Sequence, residues 1–179
     1  AQFKRRMADS ATKAKVVAEM KASLKRNQQD DFSFAVIASF KADRSLNGKN
    51  IKEAAKIVRG SDSIDDQIEM ILDIQLRGGA SGVFHGMDEK DLQIFLVQRD
   101  TMIASDAGPR KFGDAVPHPR GYGNNARLHG RYVRDLKLLS LEERVRKMTS
   151  LPARTFRLKN RGELRNGFVA DLVLFDPAQ

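Results

Sequence analysis

The pattern that most limits the fold runs from residue 82 to Asp106. A short apolar stretch at 82–86 is followed by a helical pattern at 88–98, which Asp88 can cap, and by a second apolar stretch at 101–105. Strand, helix and strand in this order predict a β-α-β unit, the piece from which parallel sheets and barrels are built. We therefore expect an α/β fold in which Asp106 ends a parallel strand.

Spacing and turn residues predict the remaining elements. A Gly- and Pro-rich stretch from residue 107 to about residue 125 is expected to be a loop with little secondary structure. A loop of that length in a compact domain is usually functional or mobile. The other predicted helices lie at 1–26, 51–58, 64–76, 126–136 and 140–150, and the other predicted strands at 32–40, 162–166 and 169–175.

Scarce residue types exclude several kinds of site. The chain has no Cys, which excludes a disulfide framework, a thiolate nucleophile and a Cys-ligated metal site within it. Its three His residues, His85, His118 and His129, are not at ligand spacing and do not predict a His-rich metal site. Hydrophobic residues make up 41%, enough for a buried core, yet no apolar run approaches the roughly 20 residues that span a bilayer.

The net charge of +9 is concentrated near the start of the chain. Residues 1–26 carry a local balance of +6, and their apolar residues recur at helical spacing. A basic amphipathic helix could touch nucleic acid or an acidic partner, or it could be a solvated surface helix. No nucleic-acid-binding motif accompanies the charge and aromatic residues are only 7%, so nucleic acid is an unlikely partner.

Asp106 is the first candidate for a role in chemistry. In β/α folds the reacting side chains stand at the carboxyl ends of strands, where loops assemble a pocket over a rigid sheet. A carboxylate there can bind a metal, or take a proton from metal-bound water and pass it to a leaving group. The alternative is an Asp that only caps the following turn.

Arg120 is the second candidate. Pro117 and Pro119 flank His118 and stiffen the backbone, which suits a loop that must hold Arg120 in one direction. The guanidinium offers a planar fork of donors that matches a carboxylate. The alternatives are a solvated loop arginine and, for His118, a structural role in place of metal binding.

These residues belong to an ordered set of short motifs. In order and spacing, the set resembles the C-terminal part of the N-acyl-D-amino-acid deacylases, the D-aminoacylase family of the amidohydrolase superfamily. Residues 1–80 resemble the mid-chain of the same family more loosely. The motifs are Ile103–Asp106, Pro117–Arg120, Gly130–Arg134, Leu139–Glu143, Lys147–Thr149, Leu151–Ala153 and Ala170–Pro177.

The resemblance implies the last two strands of a metal-dependent (β/α)₈ TIM barrel that hydrolyses N-acyl-D-amino acids. It implies that zinc activates a water, that Asp106 binds the metal and handles the proton of that water, and that Arg120 binds the substrate carboxylate. Phe84 and Met87 match positions that line the acyl or side-chain pocket. By the same resemblance, residues 1–80 are a mid-chain segment, 81–160 the last βα units, and 161–179 strands that complete a small β-domain.

The sequence also departs from the family. Ala107 stands where a Gly is usual, which changes backbone freedom beside Asp106. The family's His-x-His pair, its metal-binding Cys and its two later His ligands are absent, and a barrel needs about 250 residues. The chain starts at Ala1 without Met or a signal-peptide pattern. We therefore expect a processed or trimmed product that is active only with an N-terminal polypeptide carrying most of the zinc ligands.

The sequence-based conclusion is a cytoplasmic, heteromeric amidohydrolase. Its substrate would be a small N-acyl-D-amino acid, and its products a carboxylate and a free D-amino acid. A non-catalytic basic binding module that kept the sequence pattern but not the chemistry is the alternative.

Overall fold

A computed structural model describes residues 2–108, 111 and 116–178. These residues divide into two compact units. The first contains residues 2–86 together with 111 and 116–118, and the second contains residues 87–108 together with 119–178. Both of the principal site candidates, Asp106 and Arg120, belong to the second unit.

Helices dominate both units. The elements of the first unit are α1 (Gln2–Ala8), α2 (Ser10–Arg26), β1 (Ala35–Ser39), a 3₁₀ turn (Arg44–Leu46), α3 (Ile51–Arg59), α4 (Ile64–Leu76) and β2 (Ser81–Phe84). Those of the second are α5 (Glu89–Val97), α6 (Arg120–Arg127), a π-helix (Leu128–Asp135), α7 (Leu141–Met148) and α8 (Ser150–Thr155). No helix in the described ranges has the length and apolar character needed to cross a membrane.

The core of the first unit forms where α3 and α4 pack with β1. Phe40, Ile68 and Met70 are completely buried there. Gln67 is also buried; its side-chain oxygen accepts from the Phe32 backbone N–H at 2.9 Å and its amide donates to the Asp62 carbonyl at 2.7 Å. A buried amide that is satisfied in this way ties the start of α4 to the segment before β1.

Strands β1 and β2 pair with each other in antiparallel orientation. Ala35 lies opposite Phe84 and Ile37 lies opposite Gly82. The expected strand at β2 is therefore present, with β1 pairing along one of its edges, but the described residues show no parallel strand beside it. A later segment also reaches the first unit, where the Val116 N–H donates to the Ala38 carbonyl at 3.1 Å.

Residues 101–105, the predicted second strand, do not form a strand. The Ile103 N–H donates to the Lys147 carbonyl at 3.2 Å, so this segment is held by the last turn of α7 and not by a sheet. Ile103 also packs against the core of the second unit, which contains Leu96, Leu128, Tyr132 and Leu139. Burial of apolar side chains explains the strand-like sequence pattern at 101–105, but the backbone hydrogen bond of Ile103 is made to helix α7 and not to a strand.

Two further predictions are corrected. The expected loop at 107–125 contains the start of α6, so residues 120–125 are helical. The expected strands at 162–166 and 169–175 are not strands in the structure. The second of these segments leaves apolar side chains in solvent, since Leu172, Val173 and Leu174 are 66%, 86% and 101% exposed.

Candidate active site

Asp106 follows the segment that α7 holds in place. Its φ of 47° lies in the left-handed region, which Asp tolerates better than most residues because its short polar side chain can bond locally. The positive φ falls on Asp106 itself and not on Ala107, the position at which the sequence departs from the family's usual Gly. The Asp106 side chain is 86% exposed and so presents its carboxylate to solvent.

Arg120 is the first residue of α6 and faces Asp106. Its Nη2 atom lies 3.0 Å from Asp106 Oδ2, and its side chain is 44% exposed. The backbone of the next helical residue also lies close to this segment, since a Cβ built on Gly121 would be 3.5 Å from the Ala107 Cβ. The structure therefore brings together the two residues that the sequence predicts for proton transfer and carboxylate binding.

Both side chains of this ion pair are exposed to solvent. Exposed pairs contribute about 0–1 kcal/mol, so a carboxylate ligand can compete for the guanidinium. A guanidinium also carries five donors in a planar fork and can serve two carboxylates at once. The arrangement can therefore hold an anionic ligand directly beside a carboxylate able to accept a proton.

Lys147 is the residue near this site that the sequence analysis did not single out as functional. Its side chain is completely buried, and its Nζ donates to the carbonyls of Gln98 and Thr101, the latter at 3.2 Å. The Glu143 carboxylate lies 3.7 Å from the same ammonium. A lysine near the end of a charged helix normally reads as a surface residue, so no sequence signal indicated its burial.

The predicted pocket residues are placed as follows. Phe84 ends β2 in the first unit, and its ring lies over Gly82, where an added Cβ would be 3.1 Å from the ring. It borders an apolar cavity of about 270 Å³ that Phe34, Val36, Ile71 and Ile74 also line. Met87 belongs to the second unit and is 81% exposed. Their role in substrate binding stays a prediction.

The described residues do not by themselves fit a zinc centre. Among them, no group of three or more His, Cys, Asp or Glu side chains could hold a metal ion. Asp106 offers one carboxylate, which faces Arg120. His129, the buried histidine, has its Nε2 atom 3.0 Å from the Pro177 carbonyl oxygen. Zinc normally takes at least three protein ligands, so the residues that the structure describes cannot supply the whole set.

The structure describes a mixed helix–strand chain in which the carboxylate of Asp106 and the guanidinium of Arg120 form an exposed ion pair. The chain belongs to the amidohydrolase family, whose sequence model matches residues 18–179. Within that superfamily the D-aminoacylase resemblance is confirmed. This membership does not favour the alternative of a basic binding module.

Three similar proteins illustrate the relationship. D-aminoacylase of Alcaligenes xylosoxydans xylosoxydans is 42% identical over 133 residues, which is 74% of this chain and 25% of that protein. A crystal structure of D-aminoacylase has a TM-score of 0.66 and 38% identity, covering 80% of this chain and 28% of the other. The N-acyl-D-glutamate deacylase of Bordetella bronchiseptica, solved with zinc and a phosphonate inhibitor, has a TM-score of 0.65 and 28% identity, covering 86% and 30%.

The matched part is a limited share of these relatives. The chain spans about a quarter of their length. What the structural matches establish is a common fold over most of this chain, so the antiparallel strands and the helices described above correspond to one part of an amidohydrolase. The remaining three quarters of such a protein lie outside the matched region.

Proposed function

We propose that this chain forms the C-terminal part of a (β/α)₈-barrel amidohydrolase that cleaves the amide bond of N-acyl-D-amino acids. The products are a carboxylate and a free D-amino acid. The relatives support this proposal, since they are named as a D-aminoacylase and an N-acyl-D-glutamate deacylase. In the complete barrel, residues 1–80 form a mid-chain segment, 81–160 the last βα units and 161–179 part of a small β-domain.

The observation that carries the proposal is the 3.0 Å contact between Arg120 and Asp106. In an N-acyl amino acid the α-carboxylate and the amide nitrogen are bonded to the same carbon atom. When the Arg120 fork binds the carboxylate, the scissile amide is therefore held within a few bond lengths of the guanidinium. Asp106 already contacts that guanidinium, so its carboxylate is close enough to act on the amide.

Asp106 then serves as the general base and acid of the hydrolysis. Its carboxylate accepts a proton from the water that attacks the amide carbonyl. It returns that proton to the leaving nitrogen as the C–N bond breaks, so the amino acid departs as an amine. The 86% exposure of its side chain leaves room for the water and the substrate.

Zinc, if the enzyme uses it, is held mostly by residues outside this chain. The metal present in the N-acyl-D-glutamate deacylase structure supports a zinc enzyme. Asp106 is the one ligand that we assign to this chain. The rest of the enzyme, whether a separate N-terminal polypeptide or a continuation of the same chain, provides the other ligands and the other barrel strands.

Substrate side chains or acyl groups contact Phe84 and Met87. Both side chains are more than half exposed, at 65% and 81%, so an apolar substrate group can reach them. Burying such a side chain against an apolar substrate group contributes about 1.5–3 kcal/mol.

The test uses the complete amidohydrolase that contains this chain. N-acetyl-D-amino acids, their L enantiomers and the D substrates with the carboxylate masked as an amide are compared by kcat/KM. We expect hydrolysis of the D acids and not of the L acids. Arg120→Lys, which keeps the charge but loses the fork, should lower kcat/KM for the D acids about tenfold and change the masked substrates little.

Arg127→Lys is the matched control. Arg127 lies on the same helix and is 61% exposed, with Glu89 3.9 Å away. It should leave kcat/KM unchanged for both substrate sets. Equal losses on free and masked carboxylates in Arg120→Lys would show that Arg120 acts only on loop structure, and an enzyme that ignores N-acyl-D-amino acids would refute the function itself.

A further inference from the structure

Lys147 is completely buried, which is rare for a lysine and requires compensating partners. It lies in the last turn of α7, one residue before the helix ends. The polar groups around its ammonium explain how the buried charge of Lys147 is tolerated. Two backbone carbonyls accept hydrogen bonds from its ammonium, and the Glu143 carboxylate lies 3.7 Å away on the preceding turn.

The partners of Lys147 outside α7 all lie on one stretch of chain. Its Nζ donates to the Gln98 carbonyl, at the C-terminal end of α5, and to the Thr101 carbonyl. Its own backbone carbonyl accepts from the Ile103 N–H at 3.2 Å. One residue therefore contacts residues 98, 101 and 103 through both its side chain and its main chain.

A neighbouring arginine strengthens the same attachment. The Arg146 Nη2 atom donates to the Arg99 carbonyl, while its guanidinium forms two hydrogen bonds with Glu143 at 2.7 and 2.8 Å. These bonds are the main reason that the pKa of Glu143 lies below its usual value. Glu143 is therefore ionised at neutral pH and can compensate both cations.

The attached segment leads directly to Asp106. Only two residues, Ala104 and Ser105, separate Ile103, the last point of attachment, from Asp106. On the other side Asp106 faces Arg120 at the start of α6. Asp106 thus stands between a segment fixed by Lys147 and a helix that carries the proposed carboxylate-binding residue.

We propose that Lys147 is a positioning residue for Asp106. By fixing residues 98–103 it sets where the Asp106 carboxylate lies relative to the substrate amide. This inference rests on the proposed hydrolase function. Small displacements of a reacting group are expensive, since a shift of about 1 Å can cost about 100-fold in rate. The consequence should appear in turnover, because Lys147 does not touch the substrate carboxylate.

The experiment compares Lys147→Met and Lys147→Arg in the complete amidohydrolase. Methionine keeps an unbranched apolar stem without the donors, and arginine keeps a positive charge and donors. We expect Lys147→Met to lower kcat about 10- to 100-fold while KM changes less than about threefold. Lys147→Arg should recover part of that loss, which a role in packing alone would not produce. Lys159→Met, at an exposed lysine, is the control and should match the parent.

Hydrogen exchange followed by mass spectrometry gives a readout that does not need activity. Removing the Lys147 donors should speed amide exchange at residues 99–106 and leave α3 and α4 unchanged. If Lys147→Met fails to fold, the Lys147→Arg variant tests the proposal. We then expect a smaller loss of kcat, an unchanged KM and faster amide exchange at the same residues, 99–106.

Three outcomes would count against the inference or the function. A kcat within about threefold of the parent in both variants overturns the positioning role. Faster exchange throughout residues 87–178, with kcat and KM lost together, also overturns it and makes Lys147 a general stability residue. A parent enzyme with no activity on any N-acyl-D-amino acid refutes the proposed function. Even in that case, faster amide exchange confined to residues 99–106 in the Lys147 variants would support the conclusion that Lys147 fixes this segment.

Discussion

At the scale of single residues, Asp106 combines an exposed carboxylate with a left-handed backbone, at φ 47°. Residues held in that region cluster at functional sites because the surrounding structure must over-determine them. Asn tolerates the same conformation about as well as Asp. An Asp-to-Asn exchange at this position therefore tests the carboxylate without disturbing the backbone.

We predict that Asp106→Asn in the complete enzyme lowers kcat about 10²–10⁴-fold, because an amide cannot accept the proton of the attacking water. The unfolding temperature should stay close to that of the parent, since an exposed ion pair is worth at most about 1 kcal/mol. Asp91→Asn, an exposed carboxylate in α5, is the control. Turnover within a few-fold of the parent would remove Asp106 from the mechanism.

A second carboxylate, Asp31, matters for stability and not for catalysis. Its side chain accepts from the Ser33 N–H at 2.8 Å and from Lys52 Nζ at 2.9 Å. The bond with Ser33, and after it the bond with Lys52, lowers the pKa of Asp31 to about 2. The folded protein therefore stabilises the ionised form of the Asp31 side chain relative to the unfolded chain.

We predict that this pair stabilises the protein above pH 4 and that its contribution is lost as the pH falls from about 4 to about 2. A depressed acid pKa gives this sign, because the unfolded chain takes up the proton first. The shift corresponds to about 2 kcal/mol, which solvent around Lys52 reduces to about 1 kcal/mol. Urea unfolding of Asp31→Asn and the parent at pH 3 and pH 6 should show a smaller pH dependence in the variant; equal slopes would contradict it.

At the scale of elements, helix ends were the most predictable part of the fold. Asp88 accepts from the Lys90 and Asp91 N–H groups, Ser63 accepts from Asp66, and Gly60 ends α3 in the left-handed conformation, at φ 78°. Each of these caps is a contact within four residues, so the sequence contains all the information needed. The cap at Asp88 was therefore predicted correctly.

Strands were predictable only where a partner exists. The segment at 101–105 has the apolar pattern of a strand, yet its Ile103 N–H bonds to α7. Residues 169–175 have the pattern as well, without a strand partner in the described ranges.

Helix α6 was missed because Gly121 and Gly123 resemble a loop, although Pro119 at its N-terminus was a signal for a helix start. At the candidate site, the 3.0 Å contact between Asp106 and Arg120 and the burial of Lys147 were not predictable from the sequence, because both depend on residues distant in the chain.

The contact between α8 and residue 162 allows a sharp test of packing. Gly162 has φ 83°, and a Cβ there would lie 2.6 Å from the Ala153 Cβ and 2.8 Å from the Thr149 carbonyl oxygen. We predict that Gly162→Ala destabilises the protein by about 2–4 kcal/mol, because the clash is added to the cost of a positive φ. Thermal and urea unfolding measure the change.

Gly167→Ala separates the two causes. Gly167 has nearly the same φ, 82°, but nothing lies within 4 Å of a Cβ built there. Gly167→Ala should therefore lower the free energy of unfolding by only about 1 kcal/mol, the cost of placing a side chain at a positive φ. Equal destabilisation by the two substitutions would mean that α8 moves aside and that the close approach to Ala153 carries no energetic weight.

At the scale of the whole molecule, the second unit presents an uncovered apolar segment. Leu172, Val173 and Leu174 are all largely exposed, and in residues 116–178 their main-chain groups form no hydrogen bond with other main-chain groups. The segment stays attached beyond this point, because Phe175 contacts Arg144 and the Pro177 carbonyl contacts His129. An apolar segment whose backbone groups have no main-chain partner among the described residues is suited to pairing with another strand.

We predict that residues 1–179 alone are aggregation-prone, and that the complementary part of the amidohydrolase binds them and buries Leu172–Leu174. Leu174→Asp should weaken this association at least about tenfold, since a charge would have to be buried. Leu174→Ile, which keeps the apolar surface, is the matched control. Calorimetry of the mixed parts measures both, and a stable monomer that ignores the complementary part would contradict the prediction.

The return of Val116 to the first unit has a consequence for how the molecule can be divided. The chain leaves that unit after residue 86, and the segment that donates to Ala38 comes back to it before the chain leaves again at residue 119. A single protease cut after residue 86 would therefore leave the first unit without its returning segment, and a single cut after residue 118 would separate the two parts of the second unit. For the same reason, a recombination event with one crossover could not exchange either unit as an intact cassette, so the two are expected to be inherited together.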